Sequence, residues 1–172
     1  MKQRTLSILT ENSAGVLSRV SGMFSRRGYN IDSLTVGVTA DPRYSRMTVV
    51  ASGEECVLEQ ITKQLWKLWD VKDVKVLEDN NSVQRELMLI KVRCQAEQRQ
   101  DVISLTSVFR ANIVDVGAES LIIEVTGSQG KLDALVKLLS SYEVLEIART
   151  GVTSLERGIG KVFYLEEDEK QF

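Results

Sequence analysis

The apolar positions of this chain switch between two spacings, and the switching runs through the same order twice. Arg4, Leu6, Ile8 and Thr10 share one face of an alternating run, with Thr5, Ser7 and Leu9 on the other, which predicts a strand. Val16, Val20, Met23, Phe24 and Arg27 then recur at helical spacing, and Gly28-Tyr29-Asn30 reads as the stop and turn, with Gly28 as the residue after the helix that takes positive φ. Leu34, Val36 and Val38 alternate with polar positions. After Ala40-Asp41-Pro42-Arg43-Tyr44 a second strand runs from Arg46 to Ala51, giving a hairpin. Ser52-Gly53-Glu54-Glu55 has the spacing of a capping box, followed by a stripe of Val57, Leu58, Ile61, Leu65 and Leu68 that ends near Trp69. Val71, Val74 and Val76 supply a last strand. The order is βαββαβ. Two crossovers, each returning a strand parallel to its neighbour, give a four-stranded antiparallel sheet with two helices on one face, the ferredoxin-like arrangement of an α+β fold.

Past the polar stretch Glu78-Asp79-Asn80-Asn81-Ser82 the pattern restarts. Glu86 to Val92 reads as a strand, Val102, Leu105, Val108 and Phe109 as a helix face, and 113–116 with 121–125 as a hairpin. Leu132, Leu135, Val136 and Leu139 form another stripe, and Val144 to Ala148 closes the unit. Gly53, Leu58, Ile61 and Leu65 pair with Gly127, Leu132, Leu135 and Leu139, each 74 positions later, which supports an internal repeat. The expectation is two tandem ferredoxin-like domains: 1–79, a linker at 80–84, a second domain at 85–151, and a tail at 152–172. Arg157-Gly158-Ile159-Gly160-Lys161 lacks the Ser or Thr, the glycine spacing and the helix of a P-loop, and Glu166-Glu167-Asp168-Glu169 reads as a solvated end.

Composition narrows the function. With 22 basic and 24 acidic residues the net charge is −2, so no overall field attracts nucleic acid or an anionic membrane. No apolar run is long enough for a membrane span and the start lacks a signal-peptide pattern, which places the chain in the cytoplasm. Cys56 and Cys94, both in apolar patterns, read as buried reduced thiols, and no metal site is expected. Histidine is absent, which removes the commonest general base and nearly all zinc sites, and no catalytic residues are assigned.

The stretch Thr10-Glu11-Asn12-Ser13-Ala14-Gly15-Val16-Leu17 joins the first strand to the first helix. Asn12 or Ser13 can cap the helix and Gly15 lets the backbone approach a ligand. The free N–H groups of the first turn favour a carboxylate or phosphate. An ordinary helix cap is the competing reading. The second copy has no glycine where its first helix begins, so the site need not be duplicated.

Glu11 to Val20, Phe24 to Val36, Ser45-Arg46-Met47-Thr48, Glu59 to Leu65, Arg85 to Val92 and Ala148-Arg149-Thr150-Gly151 together resemble the regulatory small subunit of acetohydroxyacid (acetolactate) synthase, whose N-terminal module is an ACT domain. The resemblance covers nearly the whole chain. It implies a non-catalytic subunit that activates a separate catalytic large subunit, which carries thiamine diphosphate, Mg and FAD, with no cofactor on this chain. It implies feedback inhibition by L-valine, isoleucine or leucine, and a homodimer through paired ACT domains. The effector would lie between Asn12, Gly15 and Val16 of one protomer and Asn30 and Ile31 of the other, lined by Leu17, Leu34 and Val36. The chemistry of an amino acid agrees: a carboxylate for the helix N-terminus, an ammonium for asparagine carbonyls, and an apolar side chain.

Other occupants of the fold leave marks that are missing here. The first and third strands carry no base-stacking aromatics, and the first loop carries no Cys-x-x-Cys. Trp66 and Trp69 read as core or dimer packing. The remaining alternative is an amino-acid-sensing ACT protein regulating a different enzyme partner.

Overall fold

The computed structural model describes residues 2–159 and divides into two compact units, Met1–Val83 with the stretch from Ser154, and Gln84–Thr153. The first contains β1 (Lys2–Glu11), α1 (Val16–Arg26), β2 (Asn30–Val38), β3 (Tyr44–Gly53), α2 (Glu55–Leu65) and β4 (Val71–Leu77). Its sheet order is β2-β3-β1-β4 with every pair antiparallel. The strands joined by each crossover are therefore parallel but not neighbours. β3 separates β1 from β2, and β1 separates β3 from β4, because each helix carries the chain across one intervening strand.

One face of this sheet meets the helices. Leu6, Ile8, Met47, Val49 and Ala51 pack against Val16, Val20, Met23 and Phe24 of α1 and Leu58, Ile61 and Leu65 of α2. Burial of these side chains is the main stabilising term, at about 25 cal/mol for each Å² of apolar surface removed from water. Thr5, Ser7, Leu9, Thr48 and Val50 on the opposite face are buried as well. Gly28 follows α1 with φ 67°, as its position after the helix requires.

The second unit contains most of β5 (Ser82–Arg93), then α3 (Arg99–Val108), β6 (Asn112–Val116), β7 (Ser120–Gly127), α4 (Gln129–Leu139) and β8 (Val144–Arg149), ordered β6-β7-β5-β8. Its core joins Met88, Ile90 and Val92 to Leu121, Ile123, Val125, Val102, Leu132, Leu135 and Leu139. All eight positions of the 74-residue repeat are buried, so the repeat in sequence is a repeat in packing.

Several expectations change. A single 3-10 turn occupies Asp79–Asn81 and β5 begins at Ser82, so the whole of the expected linker is structured. Thr153–Glu156, expected in the tail, form a further strand, β9, which pairs with β5 and makes the second sheet five-stranded. Glu156 is tied to Lys75 by an ion pair, and Arg157 N–H donates to Asn81 O at 2.8 Å. The acidic run from Glu166 lies outside the described residues. The capping box of α2 does not form. Ser52 Oγ donates to Asp32, and Glu55 binds Arg4. Val108 is 77% exposed rather than part of a helix face. Both cysteines are free, but only Cys94 is buried; Cys56 is exposed in the first turn of α2. Trp66 and Trp69 are exposed and belong to no core.

Candidate functional site

Where β1 ends, the chain turns at Ala14-Gly15 and enters α1 through Gly15, whose φ of 83° lies in the left-handed region. Neither Asn12 nor Ser13 caps the helix, because the chain makes its entry turn at Gly15 and the Asn12 amide is engaged elsewhere. Asn12 Nδ2 donates to Pro42 O at 2.9 Å, Ser45 Oγ donates to Asn12 Oδ1 at 3.1 Å, and Asn12 N–H donates to Arg43 O at 2.7 Å. Asn12 thus pins the loop to the β2–β3 hairpin. Among the described residues the first-turn N–H groups of Leu17 and Ser18 find no backbone acceptor before the helix, at the positive end of the helix dipole.

The Val16 side chain is buried in the core, so only its backbone can face a ligand. Leu17 is 44% exposed beside it.

Arg19 was not singled out from sequence. Its guanidinium reaches back over the first turn of α1, the direction helical side chains take, and Nη1 lies 3.1 Å from where a Cβ on Gly15 would stand. Nε and Nη2 are bound to the buried carboxylate of Asp70, at 2.5 and 2.9 Å. The hydrogen bonds to Asp70 hold the Arg19 pKa above its ordinary value. Trp69 lies 5.5 Å from the Arg19 carbon Cζ, a cation–π contact. The signal available was the spacing: four residues, one turn, after Gly15.

Asn30 and Ile31 lie elsewhere. Asn30 opens β2 rather than sitting in the turn after Gly28, and it pairs with Ser52, which also pairs with Gln3 at the start of β1. Asn12 follows Glu11 at the other end of β1. From Gln3 to Glu11, at roughly 3.4 Å per residue, the separation is about 27 Å. Within one chain the two halves of the expected site do not meet. Ile31 and Leu34 point to the helix-side face and pack on the core, while Val36 on the same face is 46% exposed.

β2 and β4 are the two edges of the sheet. β4 carries Lys72, Asp73 and Lys75, charges that discourage pairing with another strand. β2 ends instead in Val36-Gly37-Val38, with Val38 60% exposed.

In the second unit a shallow depression is lined by Leu89, Lys91, Ile122, Glu146 and Ala148, and no expected site residue borders it. Among the described residues no group of three His, Cys, Asp or Glu could hold a metal ion, and no helix is long and apolar enough to cross a membrane.

Two ferredoxin-like units in tandem, the first opening its helix on a left-handed glycine, define a module of the ACT class. Residues 6–73 match the model of the AHAS small subunit-like ACT domain, and residues 85–158 that of the small subunit of acetolactate synthase. The chain is 52% identical over 157 residues to the acetolactate synthase small subunit of Mycobacterium bovis, covering 91% of this chain and 94% of that protein. Its counterpart in Mycolicibacterium smegmatis is 54% identical over 154 residues, covering 90% and 91%. The crystal structure of the acetolactate synthase small subunit from Thermotoga maritima superposes with a TM-score of 0.86 at 40% identity, covering 92% of this chain and 99% of that one. The chain belongs to the acetolactate synthase small subunit family. Its ACT domain implies a regulatory role, and a small subunit implies a large catalytic partner.

Proposed function

We propose that this chain activates a separate, thiamine-diphosphate-dependent acetolactate synthase subunit and makes it sensitive to a branched-chain amino acid, L-valine first, bound across a two-fold axis between paired ACT domains. The observation that carries this reading is the placement of Asn30 and the Asn12–Gly15 loop at opposite ends of the sheet beside a β2 edge whose one charged residue is Asp32, near its start. Two β2 edges paired antiparallel about a two-fold axis set the first residue of one strand beside the last of the other. That brings Asn30 of the partner subunit toward the loop end of the first. The effector carboxylate would meet the N–H groups of Leu17 and Ser18, its ammonium the Asn30 carbonyl, and its side chain Leu17 and Val36.

Such an effector stabilises the dimer by linkage and shifts the catalytic partner only by its differential affinity for two states, about 1–3 kcal/mol in typical cases. The test is reconstitution: the chain is added to the purified catalytic subunit, and acetolactate formation is followed with and without L-valine. A rise in rate on addition, reduced by L-valine and not by D-valine, is the expected result. No change of rate on addition would overturn the reading.

A further inference from the structure

We infer that Asp32 makes the effector site select ligands that carry an α-ammonium group, by fixing which end of the Asn30 amide faces the ligand. The inference rests on the reading above. Asp32 sits at the bulge of β2, where the register with β3 shifts between Ile31 and Ser33. Its carboxylate gathers three donors: Asn30 Nδ2 reaches Oδ1 at 2.5 Å, while Ser52 Oγ and Gln3 Nε2, the latter at 3.3 Å, reach Oδ2. An ionised carboxylate only accepts hydrogen bonds, so the group that Asn30 turns toward it must be the NH2. The orientation of the amide is thereby set by chemistry rather than by assignment. Asn30 Oδ1 is left facing away from Asp32, and among the described residues it accepts no hydrogen bond.

A carbonyl held in that orientation accepts from an ammonium and opposes another oxygen acceptor. The 2-oxo acid with the same carbon skeleton as valine presents a ketone at that point. The carboxylate behind the amide adds a negative charge two residues along the strand, which favours a cationic group and disfavours a second acceptor. Sites built to pair with one hydrogen-bonding group reject the analogue lacking it far better than an apolar pocket rejects a lost methylene. Asp32 is a positioning residue here, acting on the ligand through Asn30. Ile31 packs on the core while Asp32, the next residue and so on the opposite face of the strand, stays at the surface.

The experiment measures the affinities of the full-length chain, alone and with its large subunit, for L-valine and for 2-oxoisovalerate. The unmodified chain is expected to prefer L-valine by at least about a hundredfold. Asp32→Ala frees the amide to turn, and the preference is expected to fall by about tenfold or more, with weaker L-valine binding and stronger 2-oxoisovalerate binding. Asp32→Asn keeps the side-chain volume and removes the charge, so it decides the matter if the alanine chain fails to fold; it should lower the preference at least about fivefold. A change in L-valine affinity that leaves the preference unaltered would mean a purely structural role and overturn the inference while the proposed function stands. Failure of the unmodified chain to bind L-valine in either form would overturn both.

Discussion

The Arg19 guanidinium lies side-on against the Asp70 carboxylate, with Nε 2.5 Å from Oδ2 and Nη2 2.9 Å from Oδ1. Asp70 is 1% exposed, and its backbone carbonyl also accepts from Glu11 N–H at 2.9 Å, so one residue ties α1 to the end of β1. Removing Arg19 leaves a buried carboxylate without its counter-charge, a change that costs far more than losing a surface pair. Arg19→Ala should lower the thermal midpoint by about 5–10 °C, and Arg19→Lys, which cannot reproduce the side-on pair, should recover only part of that loss. Thermal unfolding followed by circular dichroism measures both; an unchanged midpoint in Arg19→Ala would show that the pair carries no stability.

Gly15 is constrained twice. Its φ of 83° strains any L side chain, and a Cβ there would crowd Arg19 Nη1. Gly15→Asp also sets a carboxylate where the effector carboxylate should bind. Affinity for L-valine should fall at least about tenfold, while activation of the catalytic subunit persists. Calorimetry and a rate assay on the same preparation separate the two effects. An unchanged response to valine would remove the loop from the site.

Asp73 on the β4 edge offers a pH test. Burial raises its carboxyl pKa above the ordinary value, against the Val74 N–H bond and Lys75, which lower it. The folded state therefore holds this proton more tightly than the unfolded chain. The associated stability is full below the unfolded pKa, near 4, and is lost as pH rises through the raised folded value. At neutral pH the charged form is a burden. Asp73→Asn, whose side-chain oxygen can still accept from Val74 N–H, should raise the thermal midpoint by about 1–3 °C at pH 7, and the gain should vanish below about pH 4. A gain independent of pH would assign the effect to something other than titration.

The two thiols should behave differently. An aromatic disulfide reagent should titrate Cys56 in the folded chain and reach Cys94 only after unfolding, giving about one and then two equivalents. Immediate reaction of both would contradict the burial of Cys94.

The alternation of Leu6 and Ile8 and the helical recurrence of Val20, Met23 and Phe24 made the first unit readable, because those side chains form one continuous core. The features the pattern hid are the ones without a hydrophobic signature. Asn30-Ile31-Asp32-Ser33 belong to β2, but the bulge at Asp32 breaks the period of two, so the strand looked as if it began later. β9 is four residues long and announces itself only through its partner, β5. Cys56 occupies a helical position next to Val57 and Leu58, yet it faces solvent because the stripe turns past it. At the site, Gly15 and Asn12 stood out from sequence because glycine and asparagine mark special backbone geometry. Arg19 did not, since a guanidinium on a helix reads as solvated until Asp70, 51 residues away, is seen beneath it. Asn30 could be placed on β2 only by its register with Ser52, which sets it far from the loop within one chain.

That separation is the central claim: the effector site takes its loop from one subunit and its β2 residues from the other. Subunit mixing tests it. Gly15→Asp and Asn30→Ala chains are refolded together and titrated with L-valine, beside each parent and the unmodified chain. Half of the dimers formed are hybrids, and each hybrid pairs one unaltered loop with one unaltered β2, so a mixture of two non-binding parents should recover about one site per four chains. A mixture that stays as inert as its parents, while the unmodified chain binds, would contradict a site shared across the dimer.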